Sequence, residues 1–252
     1  MKSNTLYALD FDGVICDSAI ETAMTGWQAA CKIWTEMPKN VPAGLPALFR
    51  QVRPNIETGY EAILAMRLLY LGHDCQVIFD QYQTLTQDLM VRTSVSVDDL
   101  KQLFGSTRDH WIAHDLGSWI ANNPLFDNIA QRLQSLKQRH DWVIITTKQE
   151  RFVSQILAAN GIALDAANIY GLDRNMSKVE VLKQLGQSHL QHKIIFVEDR
   201  LPTLINVAKQ ADLADIELQF ALWGYNTQAD KLEASQQGFT VIQLEEFLLF
   251  QT

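Results

Sequence analysis

The chain has 252 residues, 47% of them hydrophobic and 20% charged, which are the proportions of an ordinary globular protein. That length accommodates one large α/β domain or a core domain with a substantial insertion. A formal net charge of -8, from 29 acidic and 21 basic residues, argues against general nucleic-acid binding. Three scattered cysteines, Cys16, Cys31 and Cys75, suit a reducing compartment and show no metal-ligand spacing. No apolar run reaches the length of a membrane span, and the N-terminus enters the first expected strand almost at once. A cytoplasmic protein with neither membrane nor nucleic-acid partner is expected.

Leu6, Tyr7, Ala8 and Leu9 form a short apolar run of the kind that fills a strand buried on both faces. It ends in Asp10-Phe11-Asp12-Gly13. Residues two apart in an extended chain point the same way, so Asp10 and Asp12 should converge where the strand stops. Carboxylates that close repel, and one must protonate unless a cation sits between them. Gly13 lets the backbone turn away. Ser18 with Glu21 reads as a capping box for a helix whose apolar positions are Ile20, Met24, Trp27, Cys31 and Trp34, stopped by Pro38. Residues 38–54 carry Pro38, Pro42, Gly44, Pro46 and Pro54 and read as loop with short helical pieces. Helices are expected at 56–72, 75–92 and 97–121, with no strand between Cys16 and Asn123.

From Pro124 the pattern alternates. A helix over 124–139 precedes the β-branched run Trp142 to Thr147, and Thr147 with Glu150 suggests a capping box for a helix ending at Asn160-Gly161. Ile169-Tyr170 reads as a short strand, and Ser177 with Glu180 opens a helix that carries Lys178. Lys193 to Val197 is a buried-type strand ending in Glu198-Asp199, with Pro202 near the next helix start. Leu218 to Trp223 and Phe239 to Ile242 are the last strands, and Leu244 to Phe250 the last helix. Strands alternating with helices imply a parallel sheet covered on both faces. The expected fold is α/β: a Rossmann-like parallel core over residues 1–17 and 122–252, interrupted by an all-helical insertion over 18–121.

Ligands of open parallel sheets sit at the carboxyl ends of strands. Those ends offer Asp10 and Asp12, then Thr146 and Thr147, then Glu198 and Asp199, with Lys178 on a helix before the last of these strands. Singly these are ordinary: a strand-end threonine, a surface lysine, a polar loop. Carboxylates that face a phosphate need a divalent cation, and oxygen-only ligands favour Mg²⁺.

In this order, Asp-x-Asp-Gly, a strand ending in Thr, a helix-borne Lys and a strand ending in Glu-Asp resemble the haloacid dehalogenase superfamily. Leu-Trp-Gly-Tyr at 222–225 and the closing Gly-Phe-Thr-Val-Ile resemble its phosphoglycolate phosphatase-like branch, and the insertion resembles a C1-type cap. The resemblance implies a Mg²⁺-dependent phosphatase acting on a small phosphorylated metabolite, as monomer or homodimer. By that resemblance Asp10 would be the nucleophile and Asp12 the acid and base. Gly13, Thr146, Thr147 and Lys178 would contact the phosphoryl group. Asp10, the carbonyl of Asp12 and Asp199 would hold Mg²⁺, with Glu198 as ligand or behind it. Two departures are visible: Thr203 stands where many members carry a further Asp, and Gly13 is followed by Val14 and Ile15. Both resemble β-phosphoglucomutase and keep a sugar phosphomutase open, beside a non-catalytic binding protein on the same scaffold. In the insertion, Arg53 could read a substrate anion or simply pair within its own domain. His110 and His114, four apart on an expected helix, have metal-binding spacing but no evident third ligand.

Overall fold

The computed structural model describes residues 4 to 249, so the expected helix end at Phe250 lies outside them. Among these residues six parallel strands form one sheet, in the spatial order β3 (Ile169–Tyr170), β2 (Asp141–Ile145), β1 (Thr5–Leu9), β4 (Lys193–Glu198), β5 (Glu217–Ala221) and β6 (Thr240–Ile242). The chain divides into two compact units: residues up to Asp17 together with those from Leu125 onward, and Ser18–Pro124.

The first strand, β1 (Thr5–Leu9), belongs to the sheet unit. The chain then builds the helical unit from α1 (Ala19–Ile33), α2 (Leu45–Val52), α3 (Glu61–Tyr70), α4 (Cys75–Thr93) and α5 (Val97–Ala121). α2 forms inside the proline-rich stretch because Pro46 occupies its first turn, where a missing N–H costs nothing. α1 packs on α3 through small residues: a Cβ on Gly26 would stand 2.7 Å from the Ala62 backbone. That close approach turns the buried face of α1 to Ala23, Trp27, Ala30 and Trp34, and leaves Ile20 and Met24 partly exposed. Ser18 makes no side-chain cap. Glu21 is instead wholly buried, clamped by Arg108 Nε at 2.8 Å and Nη2 at 2.7 Å, Thr25 Oγ1 at 2.7 Å and Trp119 Nε1 at 3.0 Å. α5 bends at Asp115, whose φ and ψ of -153° and 76° are not helical, and its carboxylate accepts the Ser118 N–H at 2.9 Å to restart the helix. Asn123 Nδ2 donates to the Trp119 carbonyl at 2.9 Å, so residues 122–124 go with the helical unit.

The sheet unit resumes with α6 (Ile129–Arg139), β2 (Asp141–Ile145), α7 (Glu150–Ala159), β3 (Ile169–Tyr170) and α8 (Lys178–Ser188). It closes with β4 (Lys193–Glu198), α9 (Leu201–Ala208), β5 (Glu217–Ala221), α10 (Gln228–Gln236), β6 (Thr240–Ile242) and α11 (Leu244–Leu249). Leu6, Ala8, Val143, Ile145, Ile194 and Phe196 pack against α8 and α9. The residues between them, Tyr7, Leu9, Ile144, Ile195 and Val197, are buried as well. Burial on both faces is why these strands read as continuous apolar runs. α6 starts at Ile129, after Asn128 in the left-handed region, later than the expected 124. The Thr147 capping box does not form: Gln149 precedes α7, and Glu150 accepts the Gly171 N–H at 3.1 Å and Arg174 Nε at 2.6 Å. The Ser177–Glu180 box does form.

Candidate active site

The pairing of β1 with both β2 and β4 fixes what stands at its carboxyl end. The ladder runs one residue past β1, with the Asp10 N–H donating to the Val197 carbonyl at 3.0 Å. Asp10 is thereby held between the ends of β2, which continues into Thr146, and β4, which ends in Glu198 and leads to Asp199. The strand order reverses direction at β1, and such switch points leave a crevice at the strand ends.

After Asp10 the chain folds into a tight loop. Ile15 and Cys16 both donate to the Phe11 carbonyl, at 2.9 and 2.8 Å, and the Gly13 N–H donates to the Cys16 carbonyl at 2.9 Å. Gly13 has φ +92°, and a Cβ there would lie 2.0 Å from Asp199 Oδ2. Gly13 contributes room for Asp199, its N–H being used within the loop. Gly224, in the turn after β5, does the same: its Cβ would stand 2.3 Å from that of Asp199. Tyr225 N–H donates to Asp199 Oδ2, and Asn226 Nδ2 donates to the Asp199 carbonyl at 3.1 Å.

Lys178, the first residue of α8, is fixed by the Ser177 cap. Its Nζ lies 2.9 Å from Asp10 Oδ1 and 2.7 Å from Glu198 Oε2. Glu198 Oε1 accepts the Arg200 N–H at 3.0 Å, so both Glu198 oxygens are engaged. Burial, and then the neighbouring Glu198, push the Asp10 carboxyl up to about 7, against the pull of Lys178. Burial also raises Glu198, again opposed by Lys178. Burial alone would lower Lys178, but Asp10 and Glu198 outweigh it and hold its pKa above the ordinary value.

Carboxylate oxygens of Asp10, Glu198 and Asp199 lie within 4.8 Å of one another, and all three residues are buried. Buried acids crowded together are costly unless a cation joins them, and oxygen donors alone fit a hard divalent ion such as Mg²⁺. The residues therefore fit that metal. Thr146 is buried, its N–H donating to the Tyr170 carbonyl at 2.9 Å and its Oγ1 accepting the Lys148 N–H at 3.1 Å. Thr147 beside it is half-buried. Asp12 carries a contact that its motif does not announce: Lys148 Nζ at 2.9 Å from its Oδ1.

Residues 5–212 match the haloacid dehalogenase-like hydrolases, most of the chain's length. The chain belongs to that family. As a haloacid dehalogenase-like hydrolase it is 24% identical, over 96% of its length and 94% of the relative's, to a phosphoglycolate phosphatase of Vibrio parahaemolyticus. Its fold is that of a predicted phosphoglycolate phosphatase from Haemophilus somnus, with TM-score 0.62 and 15% identity over 98% of this chain and 97% of the other. A haloacid dehalogenase-like protein from Streptococcus pneumoniae matches with TM-score 0.59 and 19% identity over 98% of both chains.

Within this hydrolase the strand-end residues Asp10, Asp12, Gly13, Thr146, Thr147, Lys178, Glu198 and Asp199 all belong to the sheet unit. Arg53 belongs to the helical unit, where it is buried and its Nη1 donates to the Ile56 carbonyl at 2.7 Å. His114 Nδ1 is 2.8 Å from the His110 carbonyl on the exposed face of α5, and among the described residues no metal-ligand cluster includes either histidine. Lys148 lies outside the expected site residues, and Gly224 and Tyr225, known from the sequence only as part of the Leu-Trp-Gly-Tyr resemblance, prove to pack and hydrogen-bond against Asp199. A lysine two residues past a strand-end threonine was the visible signal for Lys148. No helix among the described residues is long and apolar enough to cross a membrane.

Proposed function

We propose that this hydrolase is a Mg²⁺-dependent phosphatase that cleaves a small phosphorylated metabolite through a phosphoryl group carried on Asp10. The observation that carries the reading is Asp10 itself: a buried carboxylate in reach of Lys178 and clustered with two further acids at the switch point of the sheet. The phosphoglycolate phosphatase of Vibrio parahaemolyticus supports the choice of substrate class.

In this reading an Asp10 oxygen attacks phosphorus as the bond to the leaving oxygen breaks, and Asp12 gives that oxygen a proton. Water then attacks phosphorus while Asp12 removes its proton, which releases inorganic phosphate and restores Asp10. Lys178 offsets negative charge on the phosphoryl oxygens and on Asp10. The Thr146 hydroxyl, whose oxygen already accepts the Lys148 N–H, has its own proton to donate to a phosphoryl oxygen, beside the Thr147 N–H. Asp10, the Asp12 carbonyl and Asp199 would hold Mg²⁺, which supplies positive charge against the substrate's anionic oxygens. Glu198, with both oxygens engaged by Lys178 and Arg200, orients the lysine from behind.

The test is a panel of phosphorylated metabolites, 2-phosphoglycolate and sugar phosphates among them, assayed with Mg²⁺ for phosphate release and for rearranged products. Phosphate release supports the reading. A rearranged sugar phosphate without phosphate release would make the protein a phosphomutase, and no turnover across the panel would favour a binding role.

A further inference from the structure

Lys148 is almost wholly buried: its side chain is 2% exposed, while that of its partner Asp12 is 18% exposed. Burying an ammonium group is costly unless it is paired, and here its partner is the partly exposed carboxylate of Asp12, 2.9 Å away. The backbone of Lys148 is fixed on both sides. Its N–H donates to Thr146 Oγ1 at 3.1 Å, and its carbonyl accepts the Leu172 N–H at 3.0 Å. Gly171 lies so close that a Cβ there would be 2.7 Å from that carbonyl. The ammonium itself sits 5.9 Å from the centre of the Phe11 ring, between the two aspartates in sequence. A lysine stem normally samples many rotamers, and this one is confined from end to end.

We propose that Lys148 is a positioning residue for Asp12: it holds the Asp12 carboxylate toward the leaving oxygen and so serves proton transfer. The inference rests on the phosphatase reading given above. Lys178 and Lys148 then divide two tasks between two ammonium groups. Lys178 contacts Asp10 and Glu198, and Lys148 contacts Asp12. No new bond is made or broken through Lys148. Its effect appears in the step where the proton leaves Asp12 as the phosphorus–oxygen bond breaks.

That role has a signature which a merely structural lysine lacks. A nitrophenolate leaves with little help, whereas phenol, with a pKa of about 10, needs its oxygen protonated. The experiment compares single-turnover cleavage of nitrophenyl phosphate and phenyl phosphate by the Mg²⁺-loaded enzyme and by Lys148→Met, Lys148→Gln and Lys148→Arg. General acid catalysis is worth about 10²–10⁴-fold, and misplacing the acid forfeits part of it. Lys148→Met should lose at least about tenfold with phenyl phosphate and no more than about threefold with nitrophenyl phosphate, with Lys148→Arg recovering part of the loss. Lys148→Gln serves in the same way where the Met variant does not fold. In an Asp12→Asn background, Lys148→Met should add no further dependence on the leaving group. Equal loss with both esters, or no loss, overturns the positioning role and leaves the phosphatase reading standing. No cleavage of either ester by the unmodified enzyme overturns the phosphatase reading, and this inference with it.

Discussion

Gly13 and Asp199 share a space too small for one more carbon: a Cβ on Gly13 would fall 2.0 Å from Asp199 Oδ2. Gly13 also has φ +92°, a conformation that costs an alanine about 1–2 kcal/mol. The glycine of the Asp-x-Asp-Gly turn therefore sets where a carboxylate from β4 can stand, in addition to bending the chain. Gly13→Ala should push Asp199 out of the acidic cluster and weaken Mg²⁺ binding at least about tenfold, since one ligand is displaced. Calorimetric titration with Mg²⁺ checks this, and unchanged affinity in a folded Gly13→Ala protein would contradict it.

Removing the metal should abolish turnover, and adding Mg²⁺ should restore it. Asp199→Asn keeps the size of the side chain and its contact with Tyr225 N–H through the amide oxygen, but removes the charge. It should lower Mg²⁺ affinity and activity together while the thermal unfolding of the metal-free protein changes little. Full activity after exhaustive chelation, followed by phosphate release, would contradict the metal's role.

The raised pKa of Asp10 gives the metal-free protein a definite pH dependence. The carboxyl is pushed from 3.8 in the unfolded chain up to about 7 when folded, so the folded state binds its proton more tightly. Stability is then greatest where both states are protonated, and falls as pH rises from about 4 to about 7, levelling above that. Burial moves Glu198 in the same direction. Mg²⁺ binds the ionised form, so its affinity should climb about tenfold per pH unit below 7 for each proton displaced. Urea unfolding and Mg²⁺ titration between pH 5 and 8 read both slopes. Asp10→Asn should remove most of the fall in stability, and a metal-free protein that grows more stable over this range would contradict the assignment.

In the helical unit the burial of Glu21 rests on Arg108, with Thr25 and Trp119 completing its hydrogen bonds. Arg108→Met removes the guanidinium that pairs with a buried carboxylate, a change that costs about 3–5 kcal/mol. The double variant Glu21→Gln, Arg108→Met should recover much of that loss. Chemical unfolding of the single and double variants measures the coupling, and a single variant within 0.5 kcal/mol, roughly the scatter of surface changes, would contradict it.

The sheet was legible because its strands are buried on both faces. Leu6 to Leu9 and Ile194 to Val197 carry apolar residues without alternation, and all of them are buried. The strand-end acids were legible for the same reason, since each follows such a run. Lys178 was placed correctly on a helix by its capping box, which the structure forms. What escaped reading came from tertiary contacts. Ser18 with Glu21 has the spacing of a capping box, yet Arg108, distant in sequence, takes the carboxylate into the interior. Thr147 with Glu150 has it as well, and Arg174 takes that carboxylate. The helix α10 lies where no helix is expected from apolar spacing, and is opened by the Thr227–Asp230 capping box. Lys148 was hidden because a charge two residues past Thr146 looks like a solvated loop residue until Asp12 is seen across from it.

The central claim is that Asp10 carries the phosphoryl group and Asp12 moves the protons. Intact-mass spectrometry after mixing with nitrophenyl phosphate and Mg²⁺ tests it most directly. Asp12→Asn keeps the nucleophile and loses the base, so it should accumulate a protein bearing one phosphoryl group with a burst of nitrophenol. Asp10→Asn should show neither. A phosphoryl adduct on the Asp10→Asn protein would contradict the account.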